Sequence, residues 1–291
     1  MTALQAPASP ALPRDLAAWR EDRLERRRLW LASPRGRAYV AWSALAGFGL
    51  LSAAAAVTLG VAAVTLFRKR RFYTEVMAKG LARAILRASG VELVLHRDRP
   101  FPQTQTIYTA NHTSTLDAFI LLALGLPNTR YFLKGEFRKI VPLGIMTYLM
   151  GTFFTPPQSR PDLRVRCFQR AERVLRRTGD SVYLSPEGTR VTDGTIGPFN
   201  KGTFHLATNL QVPIVPLYID IPPDVNPGTG YAGMPGTVHV YVLPEVRTEG
   251  WRLEELLANK ERVREVYVRF HEELGARRLG ARPEEPRSPL P

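Results

Sequence analysis

Two short polar clusters in this chain have residue types and spacings that chemistry needs. The first is Asn111-His112-Thr113-Ser114-Thr115-Leu116-Asp117. Within one regular helix, residues five apart lie about 140° apart and face different ways. Across a loop-to-helix junction they can meet. The cluster follows a β-rich stretch, 106–109, and opens an apolar helical stretch, 116–124. Ser114 or Thr115 is expected to cap that helix, with Asp117 in its first turn and His112 in the loop before it. A neutral imidazole so placed removes a proton from an attacking hydroxyl through one ring nitrogen. A carboxylate on the other nitrogen fixes the tautomer and stabilises the imidazolium that forms. His112 with Asp117 is the candidate catalytic base.

The second cluster is Ser185-Pro186-Glu187-Gly188-Thr189-Arg190, directly after the β-rich stretch 182–184. A glycine among polar residues at a strand end frees backbone N–H groups to face an anion. Arg190 adds a fork of donors matched to phosphate oxygens, and Thr189 adds a hydroxyl. Lys201, later in the same loop, is a second phosphate candidate. Taken alone, this cluster reads rather as a tight turn with a surface Arg–Glu pair.

The elements that must position these clusters alternate. Strand-like stretches lie at 91–95, 106–109, 130–133, 182–184, 212–219 and 237–243, and helical ones at 116–124, 162–178, 201–209 and 251–274. Asp162 is the expected cap of the second helix, with Gly179 and Gly275 as stops. The alternation indicates an α/β domain over 72–275. Pro213 and Pro216 cannot donate ladder hydrogen bonds, so 212–219 is expected at an edge or irregular. Residues 1–13 and the Pro-rich 276–291 read as disordered tails. His96 and His271 read as solvent-facing, and His239 as structural.

Charge is uneven along the 291 residues. The formal net charge is +14. Residues 1–71 hold 12 of the basic side chains against 4 acidic ones. That same end contains 38–67, a run of 30 residues without one charge, closed by Arg68-Lys69-Arg70-Arg71. About 20 apolar residues span a bilayer as a helix. The run is too long, and too basic at its end, for a cleaved signal peptide. Residues 14–71 are therefore expected to hold a basic segment and a membrane-embedded element. Arg35 and Arg37 flank one end and Arg68–Arg71 the other, which conflicts with a simple crossing under the positive-inside rule. A tilted single span and a re-entrant hairpin bent at Gly47, Gly49 and Ser52 both remain open. The next stretch, 72–89, reads as an amphipathic helix.

Together the motifs are more specific than either is alone. NHTSTLD (111–117), PEGTR (186–190) and VPIVP (212–216) occur in one order, with Lys134, Pro142, Gly144 and Gly151 between the first two. Over about residues 72–250 the chain resembles the glycerolipid acyltransferases, the family that includes 1-acylglycerol-3-phosphate acyltransferase. The resemblance implies a central mixed sheet flanked by helices, like glycerol-3-phosphate acyltransferase. It implies transfer of a fatty acyl group from acyl-CoA or acyl carrier protein to 1-acylglycerol-3-phosphate, giving phosphatidic acid. His112 then matches the general base and Asp117 its partner. Glu187, Gly188, Thr189 and Arg190 match the acceptor-binding block, with Arg190 on the phosphate. Lys134 is placed to bind that phosphate or steady the thioester oxygen, and Asn111 joins the substrate-binding set. No metal and no bound cofactor are implied, because the acceptor hydroxyl attacks the thioester directly. The partners implied are membrane lipid, a lysophospholipid acceptor and the acyl donor. The location implied is a membrane, with the catalytic domain on its cytoplasmic face. The sequence departs from the family at Ser185, where an aromatic residue is usual, and at Pro157, near a usual arginine; Arg160 follows three residues later.

Other classes are less well served. One cysteine, Cys167, excludes an internal disulfide or a cysteine-only metal site. No Gly-x-Ser-x-Gly of a serine lipase occurs. No nucleic-acid module is recognisable, and no nucleic-acid partner is expected. The alternatives retained are the same chemistry on glycerol-3-phosphate, another lysophospholipid or an amino-lipid, then a thioesterase or a non-enzymatic binder of anionic lipid.

Overall fold

The computed structural model describes residues 14–228, 230 and 232–280. Two helices precede the sheet: α1 (Arg14–Ala32) and α2 (Pro34–Val64). Ser33 separates them and caps α2, its hydroxyl accepting the Gly36 N–H at 3.0 Å, with Pro34 at the first helical position. α2 passes through Gly47, Gly49 and Ser52 as one unbroken helix, so the hairpin bend is not formed. An isolated glycine costs a helix only about 1 kcal/mol, and α2 gains packing by staying straight. Ala55, Thr58 and Ala62 of α2 are buried.

The chain turns at Leu66 and Phe67, both with positive φ. It returns antiparallel to α2 through α3 (Arg70–Phe72), a π-helical turn Tyr73–Ala78 and α4 (Lys79–Ala88). The two arms are joined at both ends. Trp42 Nε1 donates to the Ala88 carbonyl at 3.1 Å, and the Tyr39 hydroxyl donates to Ser89. At the other end the Thr65 and Tyr73 hydroxyls pair at 2.5 Å.

The sheet contains β1 (Val91–His96), β2 (Ile107–Ala110), β3 (Thr129–Lys134), β4 (Phe153–Thr155), β5 (Ser181–Leu184), β6 (Ile214–Asp220) and β7 (Gly236–Val242). The strand order is β1-β7-β6-β2-β5-β3-β4. Every pair is parallel except β6 with β7. Between and after the strands come α5 (Asp117–Leu124), α6 (Val141–Leu149), α7 (Pro161–Thr178), α8 (Gly202–Leu210) and α9 (Leu256–Arg278).

Strand alternation sends side chains to two cores. Tyr108, Ala110, Tyr183, Val215 and Leu217 join α2, α4, α5 and α6 on one face. Ile107, Val182, Leu184, Ile214 and Tyr218 join α7, α8 and α9 on the other.

Several expectations change. β6 is interior, between β7 and β2, rather than an edge. The regular ladder with β7 begins at Leu217↔Val242, and just beyond it Pro216 serves the neighbouring segment through its carbonyl alone, which accepts the Leu243 N–H at 2.9 Å. Pro213 lies before the strand and contributes only its carbonyl, to the Ile107 N–H at 2.9 Å. Every residue of β6 is buried, as an interior strand covered on both faces requires. α7 begins with Arg160 as its cap residue and Pro161 in its first turn, so Asp162 lies inside the helix. α9 runs through Gly275 to Arg278, which pairs with Asp220. The tail expected from 276 therefore starts later; 1–13 and 281–291 lie outside the described residues. His271 is half-buried, its Nδ1 2.6 Å from the Tyr218 hydroxyl, and burial lowers its pKa. Sequence reading also missed α1, β4 and α6 as elements.

Candidate active site

β2 and β5 are adjacent and parallel, with Thr109 opposite Leu184. After β2 the chain forms α5 on one face; after β5 it reaches α8 on the other. The two loops therefore diverge and leave a crevice at the carboxyl ends of the strands. The first polar cluster leaves β2 at this crevice, and the second leaves β5.

His112 Nδ1 lies 2.7 Å from Asp117 Oδ2. The same oxygen accepts the Thr113 N–H at 2.9 Å and the Ser114 N–H at 3.0 Å. Asp117 is thus an acceptor to three groups, 1% exposed at the start of α5. The expected hydroxyl cap is not formed: the Ser114 hydroxyl accepts the Leu116 N–H at 3.0 Å, short of the first helical turn, and no side chain caps α5. An acceptor at Asp117 requires the proton on Nδ1 and leaves Nε2 with a free lone pair. The imidazole remains reachable, with 28% of its side-chain surface exposed.

Glu187 is 4% exposed and does not open onto the crevice. Its Oε2 accepts the His112 N–H at 2.6 Å, and its Oε1 accepts the Gly197 N–H at 2.8 Å. Burial pushes its carboxyl up to about 7, against those two backbone bonds, which favour the carboxylate. The Val191 N–H donates back to the His112 carbonyl at 2.8 Å, so the two loops are joined twice.

Asn111 is similarly occupied. Its amide donates to the Ile219 carbonyl at 2.9 Å, and its oxygen accepts the Ile219 N–H at 2.7 Å. It ties the end of β2 to β6.

Of the remaining predicted residues, Gly188 is half-buried and the others are exposed. Thr189 and Arg190 lie on the loop after β5. Arg190 gives one nitrogen to the Gly228 carbonyl at 3.0 Å. Gly188 adopts φ +69°, and a β-carbon there would lie 2.6 Å from the Asn200 amide. That amide donates to the Glu187 carbonyl at 2.7 Å. Lys201 stands at the start of α8. Lys134 ends β3, two strands from β2 and so about 10 Å away. Arg160 caps α7 beyond β4, three strands away.

Two contributors were missed. Gly228 (φ +87°) brings the 222–235 loop so close to Thr113 that a β-carbon would lie 2.1 Å from its carbonyl oxygen. The second is α1. Arg20 donates to the Thr192 carbonyl, Arg23 pairs with Asp224 at 2.8 Å, and Arg27 donates to the Ala232 carbonyl at 2.7 Å. These arginines share one helix face, a signal visible in their spacing, but their targets were not. Arg70 is also internal, pairing with Asp180 at 2.6 Å. Part of the N-terminal positive charge thus braces the fold.

The Acyltransferase family matches residues 92–220, which hold both clusters. Over those residues the chain is similar to the acyltransferase family. A 1-acyl-sn-glycerol-3-phosphate acyltransferase of Limnanthes douglasii is 31% identical over 172 residues, 57% of this chain and 58% of that one. The chain thus spans under two thirds of the length of the Limnanthes protein. The alpha form from Ovis aries is 27% identical over 247 residues, 84% of each. The crystal structure of the 1-acyl-sn-glycerophosphate (LPA) acyltransferase PlsC from Thermotoga maritima shares the fold, with a TM-score of 0.71 and 23% identity. The match covers 86% of this chain and 98% of that one.

Proposed function

We propose that this protein is a membrane-associated O-acyltransferase that esterifies the free hydroxyl of 1-acylglycerol-3-phosphate with an acyl group from a thioester. The product is phosphatidic acid. The observation that carries the reading is the His112–Asp117 contact of 2.7 Å, which leaves Nε2 free at the crevice. The names of the relatives support the choice of acceptor.

Nε2 takes the proton of the acceptor hydroxyl as its oxygen attacks the thioester carbonyl. Asp117 stabilises the imidazolium that forms. The tetrahedral intermediate collapses with loss of the C–S bond, and the imidazolium returns its proton to the leaving thiolate. The net result is ester plus thiol, with the base regenerated. Arg190, with Thr189 and the backbone at Gly188, binds the acceptor phosphate. Lys134 and Lys201 supply further positive charge at the rim. Glu187 and Asn111 act as positioning residues, since their polar atoms hold backbone.

The membrane contact is the outer face of α2. Trp42, Leu45, Phe48, Val57, Leu59 and Val64 are exposed there. Because α2 is fastened to the return helix from Tyr39 to Thr65, it lies along the domain and enters the bilayer in plane. Arg35 and Arg37 at one end, and Arg68, Lys69 and Arg71 at the other, then meet the same lipid surface. That arrangement removes the conflict between the flanking charges, and the basic residues gathered on one side support a cytoplasmic face for the catalytic domain.

The test is acyl transfer by purified protein in lipid, with 1-acylglycerol-3-phosphate and a labelled acyl thioester. Phosphatidic acid should form with wild type and fall by about 10²–10⁴ with His112→Ala. Equal turnover by that variant, or release of free fatty acid alone, overturns the assignment.

A further inference from the structure

We propose that the solvent face of α7 docks an acidic acyl carrier protein, the soluble protein that brings the acyl group as a thioester. The proposal rests on the acyl-transfer reading and names its donor.

α7 has the sequence PDLRVRCFQRAERVLRRT, six arginines against one aspartate and one glutamate. Ala171 and Leu175 are fully buried, and Cys167, Phe168 and Val174 pack with them against the sheet. On the opposite side Arg166, Arg170, Arg173 and Arg177 are exposed. Their steps of four, three and four residues form one continuous stripe. Arg176 is used locally, by Glu172 at 3.0 Å, and Arg164 by the Pro156 carbonyl at 3.1 Å. The four stripe arginines have no ion pair among the described residues. Like charges at such spacings destabilise a helix that stands alone, so the stripe calls for an anionic partner.

Three features select the partner. The stripe is about 16 Å long, which suits an acidic helix better than the phosphates of one nucleotide. α7 lies on the sheet face opposite α2, so its arginines point away from the membrane contact. Leu163 and Val165 are exposed at its first turns, next to the carboxyl end of β4 and thus the His112 end of the sheet. An acidic protein seated there presents its thioester arm to His112 from solvent, while the lipid acceptor enters from the bilayer side. Complementary charge of this kind guides encounter and fixes register.

The test combines Arg166→Glu, Arg170→Glu, Arg173→Glu and Arg177→Glu. Transfer is measured with a palmitoyl thioester on acyl carrier protein and, separately, on CoA. The KM for the carrier protein should rise at least about tenfold, while the KM for palmitoyl-CoA and both kcat values stay unchanged. The carrier-protein KM should rise with salt for wild type and not for the variant. Lysine at the same four positions should preserve the wild-type KM. An equal rise for both donors, or no rise, overturns the proposal. So does loss of binding to anionic phospholipid vesicles, which would assign the stripe to the membrane. If wild type transfers from neither donor, the acyl-transfer reading fails, and a direct titration with carrier protein decides the docking. Binding by wild type alone sustains it; equal binding, or none, overturns it.

Discussion

The Glu187 carboxylate accepts the His112 backbone N–H at 2.6 Å, so a residue from the loop after β5 sets the backbone of the base on the loop after β2. Its other oxygen holds Gly197, and burial raises its pKa to about 7 from 4.5. The folded state therefore binds more protons than the unfolded chain between those values. The stability this group contributes is fully present below about 4.5 and is lost as pH rises through 7. Denaturant unfolding at pH 5 and pH 8 should show wild type losing on the order of 2–3 kcal/mol more than Glu187→Gln over that range. Parallel pH profiles for the two proteins would refute this account of Glu187.

Asp117→Asn keeps the side chain's shape but replaces an acceptor of three N–H groups with an amide. The tautomer that leaves Nε2 basic is no longer enforced. Initial rates should show kcat reduced by about 10³–10⁴, with little change in acceptor KM. A loss confined to KM would mean that Asp117 binds substrate instead.

Arg190 has one nitrogen on the Gly228 carbonyl and the rest of its fork directed to solvent. A charge-assisted contact to phosphate contributes about 1.5–3 kcal/mol. Arg190→Gln should raise the KM for 1-acylglycerol-3-phosphate by about 10–100-fold and leave a non-phosphorylated acceptor unaffected. If both acceptors weaken alike, the phosphate assignment is wrong.

The outer face of α2 should hold the protein on lipid. Leu45→Asp with Phe48→Asp should abolish co-sedimentation with anionic vesicles while transfer to detergent-dispersed acceptor continues. Cysteines introduced at Arg35 and Arg71, in a Cys167→Ser background, should both react with an impermeant reagent added to one side of sealed vesicles. Labelling from opposite sides would establish a crossing helix and remove the in-plane placement.

Much of this was legible in the chain itself. NHTSTLD and PEGTR each sit at a strand end, and local signals sufficed to place them in loops: a polar break after an apolar run, then helical periodicity. The uncharged run at 38–67 was visible for the same reason, since apolar length needs no partner to be counted.

Only tertiary structure decided which of the polar residues have their atoms taken by the backbone. Glu187 and Asn111 read like ligand groups, yet their atoms are taken by the backbone of His112, Gly197 and Ile219, residues distant in sequence. The place of β6 was likewise undecided, because a proline that lacks a donor can still join a neighbouring segment through its carbonyl, as Pro216 does with Leu243. The same holds for charge. Arg20, Arg23, Arg27 and Arg70 are indistinguishable in sequence from Arg68 and Arg71, but among the described residues only the first four have internal acceptors. Sequence alone determined the chemistry available and its local setting. The fold determined what each group touches, because hydrogen-bond partners and burial are set by long-range packing.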